Sequence, residues 1–347
     1  MQEEANVKIL LALKGFALWS TFDLCREYLK GCCASGLNEA LLAKEEFKGE
    51  VHTYSPAFKE DEIDKIIEIS NHVVFNSFAQ FKKYKQKAVG QTSCGLRVNP
   101  EYSSVEVDLY NPCAPYSRLG ITKANFKEDE LEGIEGLHFH ALCEQNVDAL
   151  EGALANFEKN FGQYLSSMKW VNFGGGHHIT RVDYDVEGLI ALLKNFKQRY
   201  PHLEVYLEPG EAVGWQTGVL VATVLDIVEN GMSLAILDTS AEAHMPDTLA
   251  MPYRAIIRGA GLPNEKKYTY RLGGNTCLAG DIIGDYSFDE PLKAGDKIIL
   301  EDMIHYTMVK TTTFNGINLP SIVLLKENDC YQIVRNFGYN DYKGRLS

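Results

Sequence analysis

The sequence is short of basic side chains. Its 34 lysines and arginines stand against 47 aspartates and glutamates, a formal charge of −13. That deficit argues against nucleic acid and anionic membrane surfaces as partners, and it suits a cationic small molecule. No apolar run approaches the ~18 residues that a bilayer span needs. The opening MQEEANVK is acidic and polar, unlike a secretory leader, so a cytoplasmic protein is expected. None of the eight cysteines, at 25, 32, 33, 94, 113, 143, 277 and 330, forms a CxxC pair. Their spacing fits neither a zinc site nor a disulfide framework, which leaves reduced, mostly buried thiols. His177 and His178 adjoin, but no HExxH or similar spacing occurs, so no metal is expected. Internal repeats and low-complexity segments are also missing.

What is there alternates. Up to residue 212, apolar strand-like runs (VKILLALKG, GCCASG, VHTYS, HVVFNS, CGLRVNP, GLHFHAL, KWVNFGGG and EVYLEPG) are separated by stretches of helical period such as VDALEGALANFEKNFGQYL and YDVEGLIALLKNFKQRY. Eight such units predict an α/β fold, a (β/α)8 TIM-like barrel over residues 1–212. From residue 213 the pattern turns β-rich: TGVLVATVLDIVEN, MSLAILDTS, YRAIIRGA, KKYTYRLGG, DKIILED, HYTMVKTT, PSIVLLKEN and DCYQIVRNF. An all-β second domain, a barrel or sandwich, is expected over 213–347.

The barrel's active face is set by the strand ends, where chemistry-bearing residues collect. Lys14 closes the first strand, Arg97 the fifth, His140 the sixth, Gly174, Gly175 and Gly176 the seventh, and Glu208 with Gly210 the eighth. Alone, each has a plain alternative: a solvated strand-end lysine, a tight turn, a salt-bridge partner, a core histidine. Together they suit one phosphorylated aldehyde. A lysine near apolar walls makes a Schiff base. Glycines let backbone N–H groups approach a phosphate. A carboxylate can hold a pyridine nitrogen protonated. The glycines do not form the dinucleotide GxGxxG pattern, so a Rossmann reading fails. In the second domain Cys277 lies in a Gly-rich polar turn, GGNTCLAGD, and Tyr306 and Phe314 share HYTMVKTTTFNG, read as strand and turn.

With these residues in view, the chain resembles the fold-type III, alanine-racemase-like pyridoxal-phosphate decarboxylases. Within them it is most similar to the carboxynorspermidine (carboxyspermidine) decarboxylases. The stretches LLALKGFA, VDLYNPCAPYSRLGI, GLHFHALCEQN, KWVNFGGGHHIT, YLEPGEAVGWQTG, ILDTSAEAHMPD, GNTCLAGD and HYTMVKTTTFNG carry the likeness. The resemblance implies pyridoxal 5′-phosphate as cofactor, held covalently by Lys14. It implies His140 stacked on the ring, Arg97 on the ring-oxygen side, and Glu208 on the pyridine nitrogen. Gly174–Gly176, Gly210 and Tyr306 would hold the phosphate. It further implies a homodimer with shared sites, in which Cys277 comes from the second subunit and protonates Cα. Glu211, Asp238, Glu242, Asp281 and Phe314 would meet the substrate. Most relatives carry EPGR where this chain has EPGE, so Glu211 makes diaminopimelate a poorer fit and a polycation a better one. Ornithine, arginine and a non-catalytic cofactor carrier remain as alternatives. Relatives also carry a longer segment before the lysine strand, implying either an upstream start or a β domain short of one strand.

Overall fold

The computed structural model describes residues 1–251, 253–327 and 330–347. They form two compact units, Met1–Val213 and Gly214–Ser347.

In the first unit eight short strands, all parallel, close into a barrel. They are β1 (Lys8–Ala12), β2 (Gly31–Ala34), β3 (Glu50–Tyr54), β4 (His72–Phe75), β5 (Ser93–Arg97), β6 (Gly136–His138), β7 (Trp170–Asn172) and β8 (Glu204–Leu207). Closure comes where β1 meets β8, with Lys8 opposite Tyr206 and Ile9 opposite Leu207. Helices pack outside. Val147–Phe161 buries Leu150, Leu154, Phe157 and Phe161, and Val186–Arg199 buries Leu189, Leu193 and Phe196, the stripes that the helical period requires. Asp185 caps the second of these by accepting from the Gly188 N–H. The helix Phe78–Ala88, capped by Ser77, was not among the periodic stretches read from sequence. Between β5 and β6 the βα pattern breaks: no α-helix forms, and the chain passes through three short 3-10 turns.

The N-terminal floor of the barrel is plugged. Trp170 opens β7 and lies against β5 and β6, where glycine is obligatory. A Cβ on Gly136 would stand 2.1 Å from the indole, and one on Gly95 2.3 Å. The indole N–H donates to Ser93 Oγ at 2.8 Å, and Ser93 donates to Glu135 at 2.6 Å. His72 stacks on Trp170 at 4.4 Å and on His52 at 3.9 Å. Lys8 ties Glu50 and Glu204 together across the same floor. Chemistry is thereby confined to the opposite rim.

The second unit centres on a five-stranded sheet, β12-β11-β10-β9-β13, built from β9 (Val219–Glu229), β10 (Ser233–Leu237), β11 (Tyr268–Gly273), β12 (Ile282–Phe288) and β13 (Lys297–Glu301). The β10–β11 pair is parallel and the other three pairs are antiparallel. Ala222, Val224, Ala235, Leu237, Leu272 and Leu300 form its core. A separate hairpin pairs β14 (Ile322–Leu325) with β15 (Tyr331–Arg335). The expected sheet domain is present, with corrections. Among the described residues, four short α-helices punctuate it, Ala241–His244, Asp247–Ala250, Tyr306–Val309 and Tyr339–Gly344. The third falls where a strand was expected, because Lys310 N–H closes back on the Tyr306 carbonyl at 3.1 Å and pins one helical turn. YRAIIRGA keeps a strand's alternation, with Ala255 and Ile257 buried and Ile256 exposed, yet meets its neighbours at one isolated bridge, Ile257 to Leu300.

Gly136→Ala should destabilise the protein by about 1–3 kcal/mol through overpacking against Trp170. Gly36→Ala, at an extended residue with open space around it, should cost less than about 1 kcal/mol. Urea denaturation of the two variants measures the difference, and equal losses would contradict the plug.

Candidate active site

Parallel strands bring all their C-terminal ends to one rim. Arg97, His138 and Asn172 are the last residues of β5, β6 and β7. Lys14 and His140 follow their strands by two residues, and Glu208 follows β8 directly. The turns after β1 and β8 touch backbone to backbone. Ala12 N–H donates to the Pro209 carbonyl at 3.0 Å. A Cβ on Gly15 would stand 2.9 Å from Glu211 N, and one on Gly210 2.9 Å from the Ala12 carbonyl oxygen. Glycine at both positions therefore sets Lys14 beside the Glu208 turn.

Lys14 is exposed by surface area yet surrounded by protein, as a side chain lining a concavity is. That enclosure lowers its pKa. Arg97 pushes the same way, while Cys33 and Glu208 pull against it. A larger share of neutral amine follows, which is the nucleophilic form.

Glu208 is the buried anion of the rim, with a side chain 12% exposed. Burial alone would raise its pKa, but His138 and the amide of Asn172 outweigh it, and the carboxyl is held at about 2. Asn172 Nδ2 donates to Oε1 at 2.6 Å, and His138 Nε2 lies 3.4 Å from Oε2. Burial lowers the pKa of His138. Glu208 opposes that shift, as an anion beside an imidazole does.

Gly174 and Gly176 have φ of 71° and 83°, the left-handed region. A Cβ at Gly174, Gly175 or Gly176 would stand 2.5, 2.3 or 2.2 Å from the carbonyl oxygens of Phe139, Glu208 and Leu142. Two of the three amides are hydrogen-bonded within the protein. Gly174 N–H donates to Asn172 Oδ1 at 2.8 Å, and Gly175 N–H to His140 Nδ1 at 3.0 Å. Because Nδ1 accepts, His140 carries its proton on Nε2, and burial, then Lys14 and Arg97, keep its pKa well below 6.5. His177 Nε2 lies 3.1 Å from the Gly174 carbonyl oxygen and steadies the turn. Arg97 donates to the His140 carbonyl at 3.3 Å and stacks on Tyr54 at 4.6 Å. Tyr54 in turn donates to Asn76 Oδ1 at 2.8 Å.

In the first unit the rim therefore joins Lys14, Arg97, His140, the glycines, Glu208 and Gly210, and Glu211 opens the short helix that follows. Sequence reasoning missed His138, Asn172 and Tyr54. His138 had a signal, since alternate residues of a strand face one way and His140 was already singled out.

The second unit holds the rest. Cys277 is exposed, its thiol is free, and its N–H donates to Asn315 Oδ1 at 2.7 Å. Phe314, next to Asn315, is exposed. Tyr306 starts its short helix, with Lys310 Nζ 5.2 Å from its ring centre. Glu242 is half-buried in the helix Ala241–His244. Asp238 is exposed but accepts from Thr223 N–H at 2.6 Å. Asp281, expected by resemblance to meet the substrate, organises the turn. It is 3% exposed, with Oδ1 bound by the amides of Ala241 and Glu242 and Oδ2 by the amide and hydroxyl of Thr276.

An enclosed amine, an ionised carboxylate, a neutral imidazole and a glycine turn that any Cβ would fill are the groups that suit a pyridine ring with an aldehyde and a phosphate. A family model described as pyridoxal-dependent decarboxylase, C-terminal sheet domain, matches residues 32–304. The chain belongs to the pyridoxal-dependent decarboxylases. Pyridoxal phosphate is the cofactor of such a decarboxylase, and a PLP complex occurs among the similar structures. A carboxynorspermidine/carboxyspermidine decarboxylase of Campylobacter jejuni is 56% identical over 99% of this chain and 92% of its own length. A carboxyaminopropylagmatine decarboxylase of Synechocystis is 49% identical over 100% of this chain and 90% of that protein. The crystal structure of C. jejuni carboxynorspermidine decarboxylase complexed with norspermidine superposes with a TM-score of 0.93 at 54% identity, covering 99% of this chain and 94% of that one. A Helicobacter pylori diaminopimelate decarboxylase, 18% identical with a TM-score of 0.82, shares the fold, covering 99% of this chain and 92% of its own. No helix among the described residues is long and apolar enough to cross a membrane.

Two outcomes follow for this decarboxylase. Asp281→Ala strands buried amides and should cost about 1–3 kcal/mol in urea denaturation. Burial holds His177 at about 4 against an ordinary 6.5, so between those pH values the unfolded chain binds a proton that the folded one refuses. Stability should therefore fall as pH falls through that window, by up to about 1.4 kcal/mol per pH unit from this residue. His177→Gln should flatten that slope in denaturation curves taken across the window.

Proposed function

We propose that this enzyme converts carboxynorspermidine, and also carboxyspermidine, to norspermidine or spermidine and carbon dioxide in polyamine biosynthesis. The observation that carries the substrate is the 56% identity to the C. jejuni decarboxylase along nearly the whole chain. The net charge of −13 and a glutamate at 211 agree with a polycationic substrate. A second reading, carboxyaminopropylagmatine, draws on the 49% identity to the Synechocystis decarboxylase. The two differ at the distal end, an amine against a guanidinium.

When bound, pyridoxal phosphate supplies an aldehyde that captures the substrate amine and a ring that takes up the electron pair released as carbon dioxide leaves. Lys14 would hold the cofactor through its amine. Glu208, kept ionised, would keep the ring nitrogen protonated. His140 and Arg97 would contact the ring. Gly174, Gly175, Gly176, Gly210 and Tyr306 would hold the phosphate. Cys277 would supply the proton to Cα. Glu211, Asp238, Glu242 and Phe314 offer carboxylates and an apolar face to the distal amine and the methylene chain. The reading divides the chain into a cofactor-binding barrel, 1–212, and a sheet domain, 213–347, and places it in the cytoplasm, apart from nucleic acid. A homodimer with shared sites is part of the reading. Val323, Leu325, Tyr331 and Ile333 lie exposed on the β14–β15 hairpin, an apolar surface suited to a second copy.

Carbon dioxide release from carboxynorspermidine, carboxyspermidine, carboxyaminopropylagmatine and diaminopimelate, assayed side by side, tests the assignment. Turnover of the carboxylated triamines well above the others is expected. Preference for carboxyaminopropylagmatine would establish the second reading, and release from diaminopimelate alone would overturn both. Cys277→Ala should lower kcat by about 10²–10⁴-fold while cofactor still binds. Lys14→Ala should lose turnover by at least about a hundredfold, together with the absorbance of lysine-bound cofactor.

A further inference from the structure

We infer that Asn172 is a positioning residue that ties the two ends of the cofactor site together, aiming the Glu208 carboxylate with its amide NH2 and fixing the glycine turn with its amide oxygen. The inference rests on the proposed pairing of Glu208 with the ring nitrogen. Asn172 is 1% exposed and ends β7 at the barrel rim. Its Nδ2 donates to Glu208 Oε1 at 2.6 Å, and its Oδ1 accepts from Gly174 N–H at 2.8 Å. The orientation of the amide is fixed by chemistry, because a carboxylate only accepts and a backbone N–H only donates. A third bond closes the loop: Glu208 N–H donates to the Gly174 carbonyl at 2.8 Å. The acid for the ring nitrogen and the turn for the phosphate are thus held by one planar group.

No other side chain of this size does both. Aspartate keeps the acceptor and loses the donor, leucine keeps neither, and glutamine is longer by a methylene. Lys14, Cys33, His52, His138 and His177 are among the titratable groups that act electrostatically with Glu208. Asn172 adds a hydrogen bond to the carboxylate from a group that does not titrate. It stabilises the ionised form without adding charge that the cofactor would have to offset.

The test uses the full chain and titrates pyridoxal phosphate into wild type, Asn172→Ala and Asn172→Asp. It follows the dissociation constant and the pH dependence of bound-cofactor absorbance. Asn172→Ala should weaken cofactor binding at least about tenfold. Asn172→Asp, which spares the glycine turn, should lose less affinity but move the acid limb of the absorbance titration to higher pH. If Asn172→Ala fails to fold, Asn172→Asp carries the test by itself. Binding within twofold of wild type and an unmoved acid limb in the folded variants would overturn the inference. Failure of wild type to bind pyridoxal phosphate would instead overturn the reading beneath it.

Discussion

A carboxylate kept ionised at the rim of a closed barrel is the constraint on which the site depends. Leaving Glu208 unpaired there would be costly, and the usual escape is protonation. The chain prevents it with an amide on one oxygen and the His138 imidazole near the other. That arrangement leaves a negative charge facing a lysine whose own pKa is lowered. An amine ready to react and an acid that stays charged are opposite demands on one environment. They are met on one rim because the hydrogen bonds reach the acid, while the lysine stands in a protein-lined concavity.

The barrel makes this possible by dividing its interior. Trp170, stacked histidines and the Lys8–Glu50–Glu204 group fill the floor, so the rim residues rest on a packed layer and not on a water column. Glycine recurs for two separate reasons. At Gly95 and Gly136 it makes room for an indole; at Gly15, Gly210 and Gly174–Gly176 it lets backbone approach backbone. The first use builds the plug and the second shapes the mouth.

Much of this was legible in the sequence where a residue type is costly in its context. A lysine ending ILLALK, three glycines in a row and an acid before Pro-Gly each need a reason, and strand order puts them on one rim. His138 and Asn172 were not legible, because a polar residue at a strand end has many innocent readings. Their roles come from a partner distant in sequence, which periodicity does not report: Asn172 meets Glu208 across 36 residues, and His138 meets the same acid from the end of β6. In the second unit, Asp281 was expected at the substrate only through the family resemblance, and the fold shows four hydrogen bonds converging on it. HYTMVKTT reads as a strand by its β-branched residues, but the turn closed by Lys310 and the ion pair of Lys310 with Asp247 at 2.7 Å override that preference.

The proposed chemistry stands on Glu208 staying ionised and keeping a proton on the cofactor's ring nitrogen. The direct measurement is the nitrogen-15 chemical shift of ring-labelled pyridoxal phosphate bound to the protein at neutral pH. A protonated pyridine shift, lost in Glu208→Gln, is the result the account requires. An unprotonated shift in the wild-type protein would contradict it.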